Sequence, residues 1–228
     1  RGVSDERVLE AMEAVPRERF IPEHLHEFAY DDTALPIEAG QTISQPFMVA
    51  LMAESLELSP EDRVLEVGAG SGYAAAVLGR IAAEVYAVER HGELVDLANE
   101  RLSKLGYENV AVKQADDALG WPEHAPYDAI TVAAGGPRIA DSLLRQLAIG
   151  GRLVMPVGAT QRTQELVRVI RKGEDEFERE SLGAVQFVPL VGEEAWPADG
   201  QTPTRARSRR RLPLRRQRPE SQPAAQLI

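Results

Sequence analysis

The chemistry that can be read most directly from this chain sits in Glu66-Val67-Gly68-Ala69-Gly70-Ser71-Gly72. These residues close the apolar run that begins at Val64 and lead through Tyr73 into an alanine-rich helical stretch. Glycines between a strand and a helix let the backbone reverse sharply and approach a ligand with no Cβ in the way. The first turn of the helix then offers unpaired N–H groups. A second apolar run, Val85-Tyr86-Ala87-Val88, ends at Glu89 and Arg90, with Glu89 21 positions beyond Gly68. That is near the roughly 20-residue separation at which a strand-end acid meets a cofactor ribose.

Spacing also bears on which cofactor. The dinucleotide fingerprint G-x-G-x-x-G needs a third glycine where Tyr73 stands, so the match to a pyrophosphate-bearing ligand is poor. No G-x-x-x-x-G-K-[ST] string occurs, which argues against ATP. A glycine turn introduced by an acid, Glu66, suits an adenosine cofactor without pyrophosphate and with a positive centre, which describes S-adenosylmethionine. Its expected contacts are Glu66, Gly68, Ala69, Gly70, Ser71, Gly72, Glu89 and Arg90.

Composition narrows the rest. At 228 residues the chain can bury a full core. The absence of cysteine removes disulfides, thiolate nucleophiles and Cys-based zinc sites, and is compatible with a reducing cytosol. His24, His26, His91 and His124 show no H-E-x-x-H spacing, and no metal site is expected. No apolar run approaches the ~20 residues that span a bilayer and no signal-peptide layout opens the chain, so a soluble, cytoplasmic protein is expected. The formal charge of −10 is uneven: residues 197–228 hold eight arginines and two acids, leaving −16 on residues 1–196. Nucleic-acid binding, which rests on Lys and Arg neutralising phosphates, is not expected of so acidic a body.

Positioning the candidate residues calls for a parallel sheet. After Pro60, strands over 63–67, 84–88, 109–113, 127–133 and 151–157 alternate with helices over 72–82, 92–105 and 138–147. This pattern predicts an α/β, Rossmann-like, doubly wound and mostly parallel sheet. Gln164–Arg171 and Glu176–Pro189 flank Lys172-Gly173-Glu174-Asp175 and read as a hairpin that adds an antiparallel edge. Ligands of such sheets sit beyond the carboxyl ends of the strands, where the glycine turn, Glu89, Asp116 and Ala133–Pro137 all fall. Asp116 is placed to accept a hydrogen bond from the adenine amine, with Asp117 beside it, although an aspartate in a turn also caps helices. Ahead of the sheet, Val8, Leu9 and Met12 predict a short helix over 4–14 with Ser4 as its cap. Residues 30–43 read as a loop or short hairpin that contributes to the site. From Ser44 a helix follows, with Pro46 in its first turn and Val49, Met52 and Leu56 facing the core.

Five stretches carry a wider likeness: Gly40-Gln41-Thr42-Ile43-Ser44-Gln45-Pro46, the run from Val64 to Tyr73, Pro126-Tyr127-Asp128-Ala129-Ile130, Gly150 to Val154 with Pro156-Val157-Gly158, and Phe187-Val188-Pro189-Leu190. Over residues 1–196 the chain resembles the protein-L-isoaspartate O-methyltransferases. The first and last stretches, in this order and spacing, are specific to that family. The resemblance implies a class I fold, with residues 1–58 as a helical and loop substrate region and 59–196 as the core. It implies methyl transfer from S-adenosylmethionine to the α-carboxylate of L-isoaspartyl residues in damaged proteins and peptides, by a monomer. A carboxylate is already ionised at neutral pH, so this nucleophile needs no general base. Ser44 matches the family's active-site serine, and Thr42, Ile43, Val188 and Leu190 would line the peptide groove. A serine just ahead of Pro46 is also placed to cap the helix.

The chain departs from the family pattern at three places: Asp117 stands for the usual glycine, Gly135-Gly136-Pro137 for an alanine run before the proline, and Phe47 for histidine or tyrosine. Two alternatives stay open, a methyltransferase of the same fold with a small-molecule acceptor and a catalytically weak cofactor-binding domain. The segment 197–228, with Arg205 to Arg218 and no apolar periodicity, is expected to lack order. A shifted reading frame or a fusion remnant would give the same composition.

Overall fold

Apolar residues at three- and four-residue spacing build the first element, α1 (Glu6–Ala14), which buries Val8 and Ala11. Its cap is not the expected Ser4 but Asp5, whose carboxylate accepts from the Arg7 N–H at 2.9 Å. Ser4 and Asp5 instead donate their own N–H groups to Glu54 Oε1, at 2.6 and 2.8 Å. Two 3₁₀ turns, Arg17–Phe20 and Glu23–Phe28, lead to an antiparallel hairpin of β1 (Leu35–Pro36) and β2 (Thr42–Ile43). Then α2 (Pro46–Ser55) starts with its proline at the first helical position, where no N–H is missed. Val49, Met52 and Leu56 are buried as the spacing predicts.

The computed structural model describes residues 2–116 and 119–197 and the backbone of 214–216. Beyond α2 the chain runs through β3 (Arg63–Val67), α3 (Tyr73–Gly79), β4 (Glu84–Glu89), α4 (Gly92–Lys104), β5 (Val110–Gln114), β6 (Tyr127–Val132) and α5 (Asp141–Gln146). It continues with β7 (Leu147–Thr160), β8 (Thr163–Arg171), β9 (Phe177–Val185) and β10 (Leu214–Arg216). The sheet order is β10-β9-β8-β7-β6-β3-β4-β5. Strands β3 to β7 pair in parallel, and β8 and β9 form the expected antiparallel hairpin, with β10 rather than β9 at the edge. Alternate residues of each strand serve opposite faces. Val64, Val85 and Val112 pack with α1 to α4, while Leu65, Val88 and Ile130 pack with α5. On that second face Tyr86 stacks on His124, with ring centroids 3.9 Å apart, and Trp121 meets Tyr86 edge-on at 5.5 Å.

Among the boundaries that differ from the sequence pattern, β7 (147–160 rather than 151–157) included, three have a clear local reason. Helix α3 ends at Gly79 rather than 82, because Arg80 and Ile81 donate to carbonyls three residues back and tighten the last turn. Helix α5 begins at Asp141 rather than 138, because Gly135 and Gly136 are held as bridges to Pro189 and Val157. Strand β9 stops at Val185 rather than 189, for reasons that belong to the site. In the tail expected to lack order, Leu214–Arg216 pairs in parallel with Phe177–Arg179; residues 198–213 and 217–228 lie outside the described residues. So does Asp117. Among the described residues no helix is long and apolar enough to cross a membrane, and no cluster of three acids or histidines is placed to hold a metal.

Candidate active site

The order of the sheet reverses between β3 and β6, and the crevice beyond their carboxyl ends is where an open sheet takes its ligand. The chain leaves β3 through Gly68, Gly70 and Gly72, at φ of 91°, 53° and 88°. These are left-handed values that side chains with a Cβ resist. Gly68 and Ala69 donate to the Val88 carbonyl at 2.8 and 3.1 Å, and Ala133 donates to the Val67 carbonyl at 2.8 Å, so the turn is tied to both neighbouring strands. Gly72 does a different job from the one expected. It does not line the cavity; a Cβ there would meet the Ala98 Cβ at 3.1 Å, so its missing side chain lets the turn pack on α4.

Glu89 likewise holds more than its position in the sequence suggested. Its carboxylate accepts from the Gly70 N–H through Oε2 and from the His91 N–H through Oε1, both at 2.9 Å. One acid thus clamps the tip of the glycine turn to the start of α4, where a negative charge is favoured. Glu66 points into the same crevice from β3 and is 1% exposed. Among the described residues its Oε2 has no hydrogen-bond partner. Burial, with the nearby charge of Glu89, pushes its carboxyl up to about 8, against the opposing backbone hydrogen bond from Ala75.

A cavity of about 680 Å³ opens here, within the size range of small-molecule sites. Glu66, Gly68, Ala69, Gly70, Ser71, Glu89, Arg90 and Asp116 line it, together with Thr42, Ile43, Ser44, Val188 and Leu190. Asp116 Oδ2 also accepts from Lys113 Nζ at 3.0 Å. Ser44 is not spent as a helix cap: the cap position is Gln45, and the Phe47 N–H donates instead to Asp32 Oδ1 at 3.0 Å.

Several functional features carried no sequence signal. Buried Gln146 on α5 accepts from the Trp121 N–H at 3.0 Å and donates to the Leu119 carbonyl at 2.8 Å, fixing the wall beyond β5. Val191–Ala195 folds back along the cavity. It is pinned by Trp196 Nε1 donating to the Gly135 carbonyl at 3.0 Å and by Glu194 Oε2 accepting from the Ser142 N–H at 3.1 Å.

The donor set fits S-adenosylmethionine. A buried carboxyl with an orphaned oxygen is suited to a cation, strand-end acids at Glu89 and Asp116 are suited to ribose and adenine, and the glycine turn brings backbone rather than side chain to the cavity floor. Fold and site together are those of a class I S-adenosylmethionine-dependent methyltransferase. The sequence profile of "Protein-L-isoaspartate(D-aspartate) O-methyltransferase (PCMT)" matches residues 1–195, and the chain belongs to that family. A protein-L-isoaspartate O-methyltransferase of Protochlamydia amoebophila is 56% identical over 196 residues, covering 86% of this chain and 93% of the relative. A second, from Rhodopseudomonas palustris, is 60% identical with 86% and 90% covered. A solved protein-L-isoaspartate O-methyltransferase superimposes with a TM-score of 0.76 at 31% identity, covering 85% of this chain and 63% of that longer one. A putative one from Plasmodium falciparum, in complex with S-adenosyl-L-homocysteine, does so with 0.69 at 27% identity, covering 82% and 91%.

Proposed function

We propose that this chain methylates the α-carboxylate of L-isoaspartyl residues in damaged proteins, the first step of their repair. The observation that carries this reading is one continuous cavity shared by the glycine turn and the two segments specific to the family, Thr42–Ser44 and Val188–Leu190. When bound, S-adenosylmethionine supplies an electrophilic methyl group on a sulfonium that is its own leaving group. The acceptor carboxylate is anionic at neutral pH, so the protein needs to supply no base; what it supplies is alignment and exclusion of water, effects that can lower a barrier by several kcal/mol. Ser44 donates its hydroxyl to the acceptor carboxylate and orients it. Thr42, Ile43, Val188 and Leu190 hold the peptide. Glu66, Gly68–Ser71, Glu89, Arg90, Asp116 and Asp117 form the cofactor side.

The working unit is residues 1–196, acting as a monomer in the cytoplasm with no nucleic-acid partner. Its charge of −16 speaks against a nucleic-acid partner. Transfer of a labelled methyl group to an L-isoaspartyl peptide, with the same peptide carrying aspartate alongside, tests the reading. Labelling of the isoaspartyl peptide alone is expected. Cofactor binding with neither peptide labelled would overturn it in favour of another acceptor.

A further inference from the structure

Strand β9 ends at Val185, paired with Gln164 of β8. The next rung of the ladder is made by a side chain. Oε1 of Gln164 accepts from the Phe187 N–H at 2.8 Å, and Nε2 of Gln164 donates to the Phe187 carbonyl at 3.0 Å. A primary amide offers the same donor and acceptor as a peptide unit, so Gln164 stands in for backbone and takes both main-chain groups of Phe187. Phe187 is thereby held beside the sheet while the chain turns away from it. The following residues run along Gly135: Gly135 donates to the Val188 carbonyl, and Leu190 donates to the Gly135 carbonyl, each at 2.8 Å.

Gly135 matters to this arrangement for a second reason. A Cβ on it would fall 2.5 Å from Cδ and Nε2 of Gln164, so the buried amide occupies the space that glycine leaves empty. The amide seated on Gly135 fixes the wall carrying Val188 and Leu190. The geometry points to Gln164, seated on Gly135, as the positioning residue that sets the acceptor wall of the site. This rests on the reading of Val188–Leu190 as part of the peptide groove. Gln164 does not line the cavity; it acts through the main chain of Phe187, and its Nε2 also donates to the Gln161 carbonyl at 2.9 Å.

The test compares Gln164→Leu, Gln164→Glu, Gly135→Ala and Val188→Asp with the unaltered chain, measuring KM for an isoaspartyl peptide, kcat, and the dissociation constant of S-adenosylhomocysteine by calorimetry. Gln164→Leu removes both bonds to Phe187, and the peptide KM is expected to rise about tenfold or more, with the dissociation constant of S-adenosylhomocysteine within about twofold. Gln164→Glu keeps an acceptor for the Phe187 N–H and loses the donor, so a smaller rise in KM is expected. Gly135→Ala displaces the amide without altering it and is expected to move KM in the same direction, which keeps the proposal testable should Gln164→Leu fail to fold. An unchanged peptide KM in Val188→Asp would remove the groove reading itself. A raised KM in Val188→Asp with no rise in Gln164→Leu or Gly135→Ala, or a parallel loss of cofactor affinity in those two, would overturn the role of Gln164 alone.

Discussion

Glu66 makes the site costly to the empty protein, and that cost can be measured. Its carboxyl sits at about 8 in the folded chain against 4.5 for an ordinary glutamate. Below pH 4.5 folded and unfolded chains both hold the proton, and Glu66 is neutral to stability. Between 4.5 and 8 the unfolded chain has released it and the folded chain has not, so stability falls as pH rises through this window, by about 1.4 kcal/mol per pH unit, and levels off above it. At pH 7 the penalty is of order 3 kcal/mol. Glu66→Gln keeps the shape and an acceptor for the Ala75 N–H but never ionises. The variant is therefore expected to be more stable than the unaltered chain at pH 7, with a melting temperature higher by roughly 5–10 °C, and nearly equal to it at pH 4.5. A cation bound beside Glu66 favours the carboxylate, so the same substitution is expected to weaken S-adenosylmethionine binding by about tenfold or more. Thermal unfolding of both proteins without ligand, at pH 5, 7 and 8.5, reads the first effect and calorimetry the second. If Glu66→Gln melts at or below the unaltered chain at pH 7, or the gap fails to widen between pH 5 and 8, the reasoning is wrong.

Three further outcomes follow from the geometry. Ser44→Ala is expected to lower kcat strongly and to leave the dissociation constant of S-adenosylhomocysteine within a few-fold, since the helix it precedes is capped by Asp32; unchanged turnover removes the assigned role. Gly70→Val places a branched side chain at φ 53°, with its Cβ 3.6 Å from Ile37 Cδ1, and is expected to abolish cofactor binding; tight binding by calorimetry would refute this placement of the turn. Gln146→Leu releases Leu119 and Trp121 and is expected to raise the dissociation constant of S-adenosylhomocysteine about tenfold while the isoaspartyl peptide KM stays within about twofold, the reverse of the Gln164→Leu pattern.

The sheet was legible because alternating strand and helix periods are local signals, and strands β3 to β8 fall within a few residues of where the spacing puts them. Where boundaries were missed, a tertiary contact had taken over a backbone group. Phe187 reads as strand by residue type but is claimed by the Gln164 amide, and Gly136 reads as the approach to a helix but pairs with Val157. The cap of α1 went to Asp5 because Glu54, 49 residues away in sequence, draws the N–H groups of Ser4 and Asp5 together.

The two halves of the site were legible to different degrees for the same reason. The proposed cofactor half is built from consecutive residues at the ends of adjacent strands, so a glycine spacing and one acid point to it, while the contacts within it carried no such signal. Gly72 packs against α4, and Glu89, expected to meet the cofactor ribose, clamps the glycine turn as well. The proposed acceptor half joins Thr42–Ser44 to Val188–Leu190, which line one cavity from distant parts of the chain, and no periodicity relates the two; only resemblance brought them together. The residues that hold the walls were invisible altogether. Glutamine is ordinarily a surface residue with no pattern of its own, and what distinguishes Gln146 and Gln164 is burial with their amides bonded to backbone groups of the loops they hold. A motif records where a ligand meets backbone. Which side chains keep that backbone in place depends on what folds against it, and that information is spread over residues with no spacing to betray them.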